Sequence, residues 1–186
     1  MSVSGTLRRR RFIGRVLSVS AAVALTATLA GCSGDEPPKK AYTVPTSMCG
    51  TPVDPALVKA ALPGGDSLTT ATQKPNGGTV RCNLSVDGKE ALSLAQTWWT
   101  QGQTTATVSQ GYSNTDDGTM SEDERFVHTG KAGVGKTVPS CKASEHPEQD
   151  LYVTVETRDS GVDDPDAIKK LLVAYTKAVE GSAACG

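Results

Sequence analysis

Four cysteines, Cys49, Cys82, Cys141 and Cys185, are spread through the last 138 residues of this chain. Whether they cross-link constrains the fold more than any other feature, because a cross-link removes disorder from the unfolded chain. The N-terminus decides the matter. Residues 1–31 have the three parts of a secretory signal. A basic start carries Arg8, Arg9, Arg10, Arg11 and Arg15, an uncharged Val/Leu/Ala-rich run extends over Val16–Leu29, and small residues follow. An even set of cysteines in an exported body reads as disulfides. Three pairings exist, of which Cys49–Cys82 with Cys141–Cys185 is preferred. The first closes a loop of about 33 residues, worth roughly 3–4 kcal/mol in the chain-entropy account. The second ties the end of the last helix back to the sheet. Zinc is the rival use of these thiols, but C-x-x-C and H-x-x-H spacings are missing, so no metal is expected.

The run Leu29-Ala30-Gly31-Cys32 resembles the lipobox of bacterial lipoproteins, in which the cysteine is lipidated and becomes the first mature residue. The resemblance implies a diacylglyceryl thioether on Cys32, and stable anchoring takes two or more acyl chains. The apolar run has 14 residues, short of the roughly 20 that a membrane-spanning helix needs. Arg9-Arg10-Arg11-Phe12-Ile13 also resembles a twin-arginine signal, so the general and the twin-arginine export routes both stay open. Residues 32–48, with three prolines and two lysines, read as the lipidated cysteine and a flexible tether. Residues 49–186 read as one domain. The location expected is extracytoplasmic, on the outer face of the cytoplasmic membrane.

Removing residues 1–31 takes away five of the nineteen basic residues and none of the twenty acidic ones, which leaves a net charge of −6. An acidic body without a Lys/Arg cluster in its sequence is a poor partner for nucleic acid. Its charge should repel anionic lipid headgroups, so the lipid and not electrostatics is expected to hold it. Aromatic residues make up only 4 % of the chain, so the core must rest on Val, Leu and Ala.

Asp54-Pro55 opens a first helix, with Asp54 as N-cap and Pro55 at the first helical position. Leu57, Val58, Ala61 and Leu62 form its stripe, and Pro63-Gly64-Gly65 ends it. Leu68–Gln73 is expected as a strand, with a turn at Pro75-Asn76-Gly77-Gly78. Val80, Cys82, Leu84 and Val86 alternate with polar residues before Asp87-Gly88 turns the chain into a return strand from about Glu90 to Trp99. Alternation directs Trp98 to the core and Trp99 to the surface or an interface. Thr104–Gln110 is an element of open type in a polar stretch that runs to Glu124. Arg125–Thr129 and Lys136–Pro139 read as strands around a glycine-rich turn at Gly133 and Gly135, and Leu151–Thr157 as the strongest strand. Asp163-Asp164-Pro165 opens a last helix whose apolar residues Ile168, Leu171, Leu172, Tyr175, Ala178 and Val179 share one face. The sum is an α+β domain. An antiparallel sheet of about 5–6 strands carries a short N-terminal helix and a long C-terminal amphipathic one.

Gly130-Lys131-Ala132-Gly133-Val134-Gly135-Lys136-Thr137 fits the P-loop pattern G-x-x-x-x-G-K-[ST] letter for letter. A P-loop needs a helix directly after its glycines to aim N–H groups at phosphate. Here Val138-Pro139 follows and forbids it, so no nucleotide or other cofactor is expected. The two histidines, His128 and His146, are the only bases for a serine hydrolase, and a G-x-S-x-G elbow is missing. The acids Asp116, Asp117, Glu122, Asp123 and Glu124 miss the calcium-loop spacing, and Asn83, in a glycosylation triplet, sits inside an expected strand. Catalytic residues are therefore expected to be none. Trp98 and Trp99 remain as candidate contacts for a ligand or partner, since exposed indoles stack on sugars and proteins.

The lipobox, the Pro-containing tether, Cys49-Gly50 before a short helix, Cys82 in a strand, Cys141, and a terminal helix closed by Cys185 together resemble small actinobacterial cell-envelope lipoproteins that carry a domain of unknown function. The resemblance implies a fold similar to PsbP-like α+β domains, which bind other proteins or small apolar ligands, and it brings no catalytic residues. The function expected is a lipid-anchored binding or interaction module, touching the membrane through its anchor and an envelope protein or small apolar ligand through its body. An envelope hydrolase and an accessory subunit of a membrane complex are the alternatives.

Overall fold

The computed structural model describes residues 38–158 and 160–186. The export signal, Cys32 and the start of the tether lie outside the described residues. Among the described residues, no helix is long and apolar enough to cross a membrane.

The described chain starts as part of the domain. Lys40 bridges to Gly65, with hydrogen bonds from Ala41 N to Gly65 O and from Gly65 N to Lys39 O, each 2.9 Å. Tyr42, Val44 and Met48 are buried in the core, and the Tyr42 hydroxyl donates to the Pro63 carbonyl. The free tether expected up to residue 48 is therefore corrected over residues 38–48. Composition averaged over that stretch hides three apolar side chains at even spacing, which is the signature of an extended segment with one face inward. β1 (Ser47–Met48) and β2 (Thr51–Pro52) then form a hairpin turned by Cys49 and Gly50, both at positive φ.

α1 (Pro55–Ala60) follows, and the Asp54 carboxylate accepts from Ala56 N at 2.8 Å. The main sheet comprises β3 (Leu68–Asn76), β4 (Thr79–Val86), β5 (Lys89–Thr100), β6 (Thr119–Met120), β7 (Phe126–His128), β8 (Ala132–Lys136) and β9 (Gln149–Thr157). Their order is β3-β4-β5-β9-β8-β7-β6, and every pairing is antiparallel. Seven strands replace the five or six expected. The added one is the two-residue β6, too short to show alternation. A third helix, α2 (Thr105–Ser109), fills the stretch of open type, with the Thr104 hydroxyl capping Thr107 N at 3.0 Å.

α3 (Pro165–Glu180) lies on one face of the sheet. Asp164 caps it by accepting from Asp166 N and Ala167 N at 3.0 Å, a contact worth about 1 kcal/mol. Its Ile168, Leu171, Leu172, Tyr175 and Val179 meet Leu84, Leu92, Leu94, Leu151, Val153 and Val155, and all eleven are fully buried. Burying each such side chain contributes roughly 1.5–3 kcal/mol. A smaller cluster of Val108, Val127, Val134 and Tyr152 covers part of the opposite face beneath α2. Strand β9 is buried on both faces from Leu151 onward, because a layer lies on each side of it.

Gly133 and Gly135 do not form the turn expected of them; they lie inside β8. The turn is Thr129–Lys131, where the Thr129 hydroxyl accepts from Lys131 N and Ala132 N. A Cβ on Gly133 would come within 2.8 Å of Leu172 Cδ2, and one on Gly135 within 2.7 Å of Thr176 Oγ1. These glycines let α3 approach the strand. Glycine is a turn former by default, but here it removes bulk beneath a helix.

The structure joins Cys49 to Cys82 and Cys141 to Cys185, with Cα atoms 5.5 and 4.5 Å apart. The first bond fastens the β1–β2 hairpin to β4. The second fastens the loop after β8 to the single 3-10 turn, Ala183–Cys185, that follows α3.

Candidate functional site

Trp98 and Trp99 sit on opposite faces near the end of β5, as alternation requires; Trp98 packs against the main core as expected, whereas Trp99 is covered on the other face rather than exposed. Trp99 is half-buried against the cluster beneath α2. Its indole Nε1 is buried beside the Tyr112 hydroxyl. That is a structural placement. Trp98 is also half-buried, but it looks out into a cleft of about 390 Å³.

Three separate pieces of chain build this cleft around Trp98. The β3–β4 turn forms one side: Gly78 O accepts from Trp98 N at 2.8 Å, and Asn76 Oδ1 holds Gly78 N at 2.9 Å. The loop after Cys141 forms the second, laying the His146 ring on Trp98 at 4.7 Å between centroids and 17° between planes. His146 Nδ1 is held by Gln149 Oε1 at 2.6 Å. Ala183 and Ala184 of the terminal 3-10 turn form the third. Because Cys141–Cys185 joins the second piece to the third, two of the three walls are covalently tied.

Gln96 lines the cleft, is buried, and ties it to a polar network in the core behind it. Gln96 Nε2 donates to Thr51 Oγ1 and to the Tyr175 hydroxyl, both at 2.9 Å, and that hydroxyl donates to Met48 O at 2.9 Å. Burial pushes the Tyr175 phenol up to about 12, against its hydrogen-bond partners Gln96 and Thr51. It therefore stays a neutral donor at physiological pH. This network links the N-terminal hairpin, the sheet and α3, and a network with its members paired specifies one arrangement. The rim carries Lys74, Asn76 and Glu145. The cleft thus offers an aromatic wall, small apolar sides and polar groups of both charge signs at its edge.

The chain matches no family model, no curated protein and no solved structure. The geometry of its own residues therefore carries the functional reading.

Other sequence candidates are dispersed. Residues 130–137 run through the turn at Thr129–Lys131 and strand β8, with no helix after them. Lys136 Nζ is bound to Asp150 Oδ2 at 3.0 Å and Gln103 O at 2.9 Å, and it lies over the Tyr152 ring. His128, on β7, has its pKa lowered by burial and then by the Lys169 charge. Asp123 accepts from Ser121 Oγ and Arg125 N, which makes it part of a local turn. Asn83 accepts from Ser93 Oγ within the sheet. Among the described residues, no group of three His, Cys, Asp or Glu side chains is placed to hold a metal ion. His146, named in sequence only as a possible base, is brought against Trp98 by the fold; the hint was Pro147 and Cys141 on either side, which restrict where the loop can lie.

Proposed function

We propose that this protein is a lipid-anchored, extracytoplasmic interaction module of a bacterial cell envelope, and that it grips another envelope protein at the Trp98 cleft. The observation that carries this reading is the Trp98–His146 stack in an open cleft fastened by a disulfide. A rigid aromatic wall with small apolar sides and a charged rim suits a side chain or short segment of a protein partner, since such anchors dominate interface energetics. The space between sheet and α3 is filled by fully buried side chains, which favours a surface contact over carriage of an apolar ligand inside the fold. The two disulfides support an oxidising compartment, and the secretory signal and the cysteine at the lipobox position support the anchor.

The test is site-specific photocrosslinking in intact host cells from a probe at Glu145, on the rim. A discrete adduct that disappears in Trp98→Ala, while the variant stays folded by circular dichroism, supports the cleft as the contact. An adduct unchanged by Trp98→Ala refutes it. The compartment is checked independently by mass spectrometry of Cys32: an unacylated thiol in protein from the native host removes the anchor.

A further inference from the structure

A second feature lies on the far side of α3 from the sheet. A groove of about 570 Å³ runs along the seam of α1 and α3, floored by Leu57, Val173 and Ala174. Lys169, Lys170 and Lys177 stand along it, with Asp166 at one end. From Asp166 to Lys177 the helix rises roughly 17 Å. Lys40 and Lys59 extend this basic edge, because Lys40 Nζ reaches the carbonyls of Lys59 and Ala60 at 2.6 and 3.4 Å. Lys39 precedes Lys40 and is exposed. Burial lowers the Lys40 pKa, the Lys59 charge lowers it further, and Asp164 acts against both.

Five of the other eight basic groups beyond residue 31 are used differently, whereas Lys74, Arg81 and Lys89 form no ion pair among the described residues. Arg125, Lys131, Lys136, Lys142 and Arg158 each hold a carboxylate. Among the described residues, none of Lys39, Lys40, Lys59, Lys169, Lys170 and Lys177 forms an ion pair with a carboxylate. Against these six lysines the face carries Asp54, Asp164 and Asp166, of which Asp54 and Asp164 are committed to capping helices. Among the described residues the face is net positive, although the chain beyond residue 31 carries −6.

Chain connectivity says what lies opposite. Pro38 packs against Gly64, just beyond α1. Six residue steps separate Cys32 from Pro38, and a fully extended chain covers at most about 3.6 Å per step, so roughly 20 Å in all. A lipid on Cys32 therefore keeps the end of α1, with Lys39, Lys40 and Lys59, close to the headgroup layer. We infer that the α1–α3 face lies against an anionic phospholipid surface, its lysines on the headgroup phosphates and its apolar groove turned toward the interface. This orientation rests on the lipid-anchor reading above. It would present the remainder of the domain, including the Trp98 cleft, to partners away from the bilayer.

The test uses the full, lipidated chain, purified from host membranes and reconstituted into vesicles. One set is phosphatidylcholine alone and the other contains about three-tenths phosphatidylglycerol. An environment-sensitive fluorophore is placed on Ala174→Cys, in the groove, and a control probe on Thr70→Cys, on β3. The expected result is a rise in the groove probe's emission of about threefold in anionic vesicles, with none at the control site. The rise should vanish in roughly 1 M salt, where the Debye length is about 3 Å. It should also vanish in the triple variant Lys169→Glu, Lys170→Glu, Lys177→Glu, while flotation with vesicles persists because the acyl chains still hold. A protein that floats with a groove probe indifferent to lipid charge overturns the orientation alone. A protein that fails to float overturns the anchor and the orientation together.

Discussion

Asp150 holds one carboxylate between two ammonium groups: Oδ1 lies 2.9 Å from Lys142 Nζ and Oδ2 lies 3.0 Å from Lys136 Nζ. Burial opposes its charge, and the hydrogen bonds from the two lysines outweigh burial, so its pKa lies below the ordinary carboxylate range. Burial likewise opposes the charge of Lys136, but the bonds to Asp150 and Tyr152 prevail and its pKa lies above the ordinary value. The signs give two limbs. The Asp150 contribution is fully present above about pH 3.9 and is lost as pH falls through its lowered folded-state pKa. The Lys136 contribution is fully present below about pH 10.4 and is lost as pH rises through its raised one. Asp150→Asn should cost about 1–2 kcal/mol at neutral pH, with a flatter loss of stability toward acid. Urea unfolding at several pH values measures both, and an acid limb identical to wild type would contradict the pairing. The same bonds explain why the sequence pattern around Lys136 misleads. A lysine in a G-x-x-x-x-G-K-T string looks like a phosphate ligand until its carboxylate partner, which lies on another strand, comes into view.

Strand β8 shows where element-scale reading succeeds and fails. Periodicity identified α3, the β4–β5 hairpin and β9, because each presents a regular apolar stripe to one core. Asp-Pro openings located both Asp-capped helices. The glycines of β8 were misplaced into a turn because their purpose concerns a helix far along the chain, and no local rule carries that information. Gly135→Ala should push α3 away through Thr176 and crowd the Phe126 ring of the neighbouring β7, at a cost of roughly 1–3 kcal/mol, and Gly133→Ala should act against α3 in the same direction. Gly77→Ala, with nothing within 4 Å of the added carbon and no positive φ, is the control and should be nearly neutral. Chemical denaturation of the three variants distinguishes the accounts. If all three behave alike, close helix approach is not the reason for glycine in β8. Residues 38–48 failed for a related cause: their three inward side chains are diluted by prolines and lysines that dominate any average.

For the whole molecule, composition gave a single number where the structure gives directions. A charge of −6 predicts repulsion from anionic lipid, yet lysines without an ion-pair partner among the described residues stand together along α1 and α3. The Trp98 cleft was equally hidden, since its three walls come from distant parts of the chain and, of its residues, only Trp98 stood out in sequence as a contact, His146 only as a possible base. Cys141 and Cys185 join two of those walls across 44 residues. Replacing both by serine should lower stability by roughly 2–4 kcal/mol and loosen His146 from Trp98. The expected signature is a red-shifted, more readily quenched tryptophan emission in a domain that keeps its far-ultraviolet circular dichroism. Unchanged emission would mean that the loop holds the stack without its cross-link.

The weaving of residues 38–48 into the core has a mechanical consequence. Tension arriving along the chain from its N-terminal side first peels the Lys40–Gly65 bridge and then the buried Tyr42 and Val44. Those 11 residues yield at most about 40 Å of slack, after which the pull meets the covalent bond from Cys49 to Cys82. From there the load passes into β4, which is hydrogen-bonded to β3 on one side and β5 on the other. A domain fastened in this way can be tugged without losing its shape.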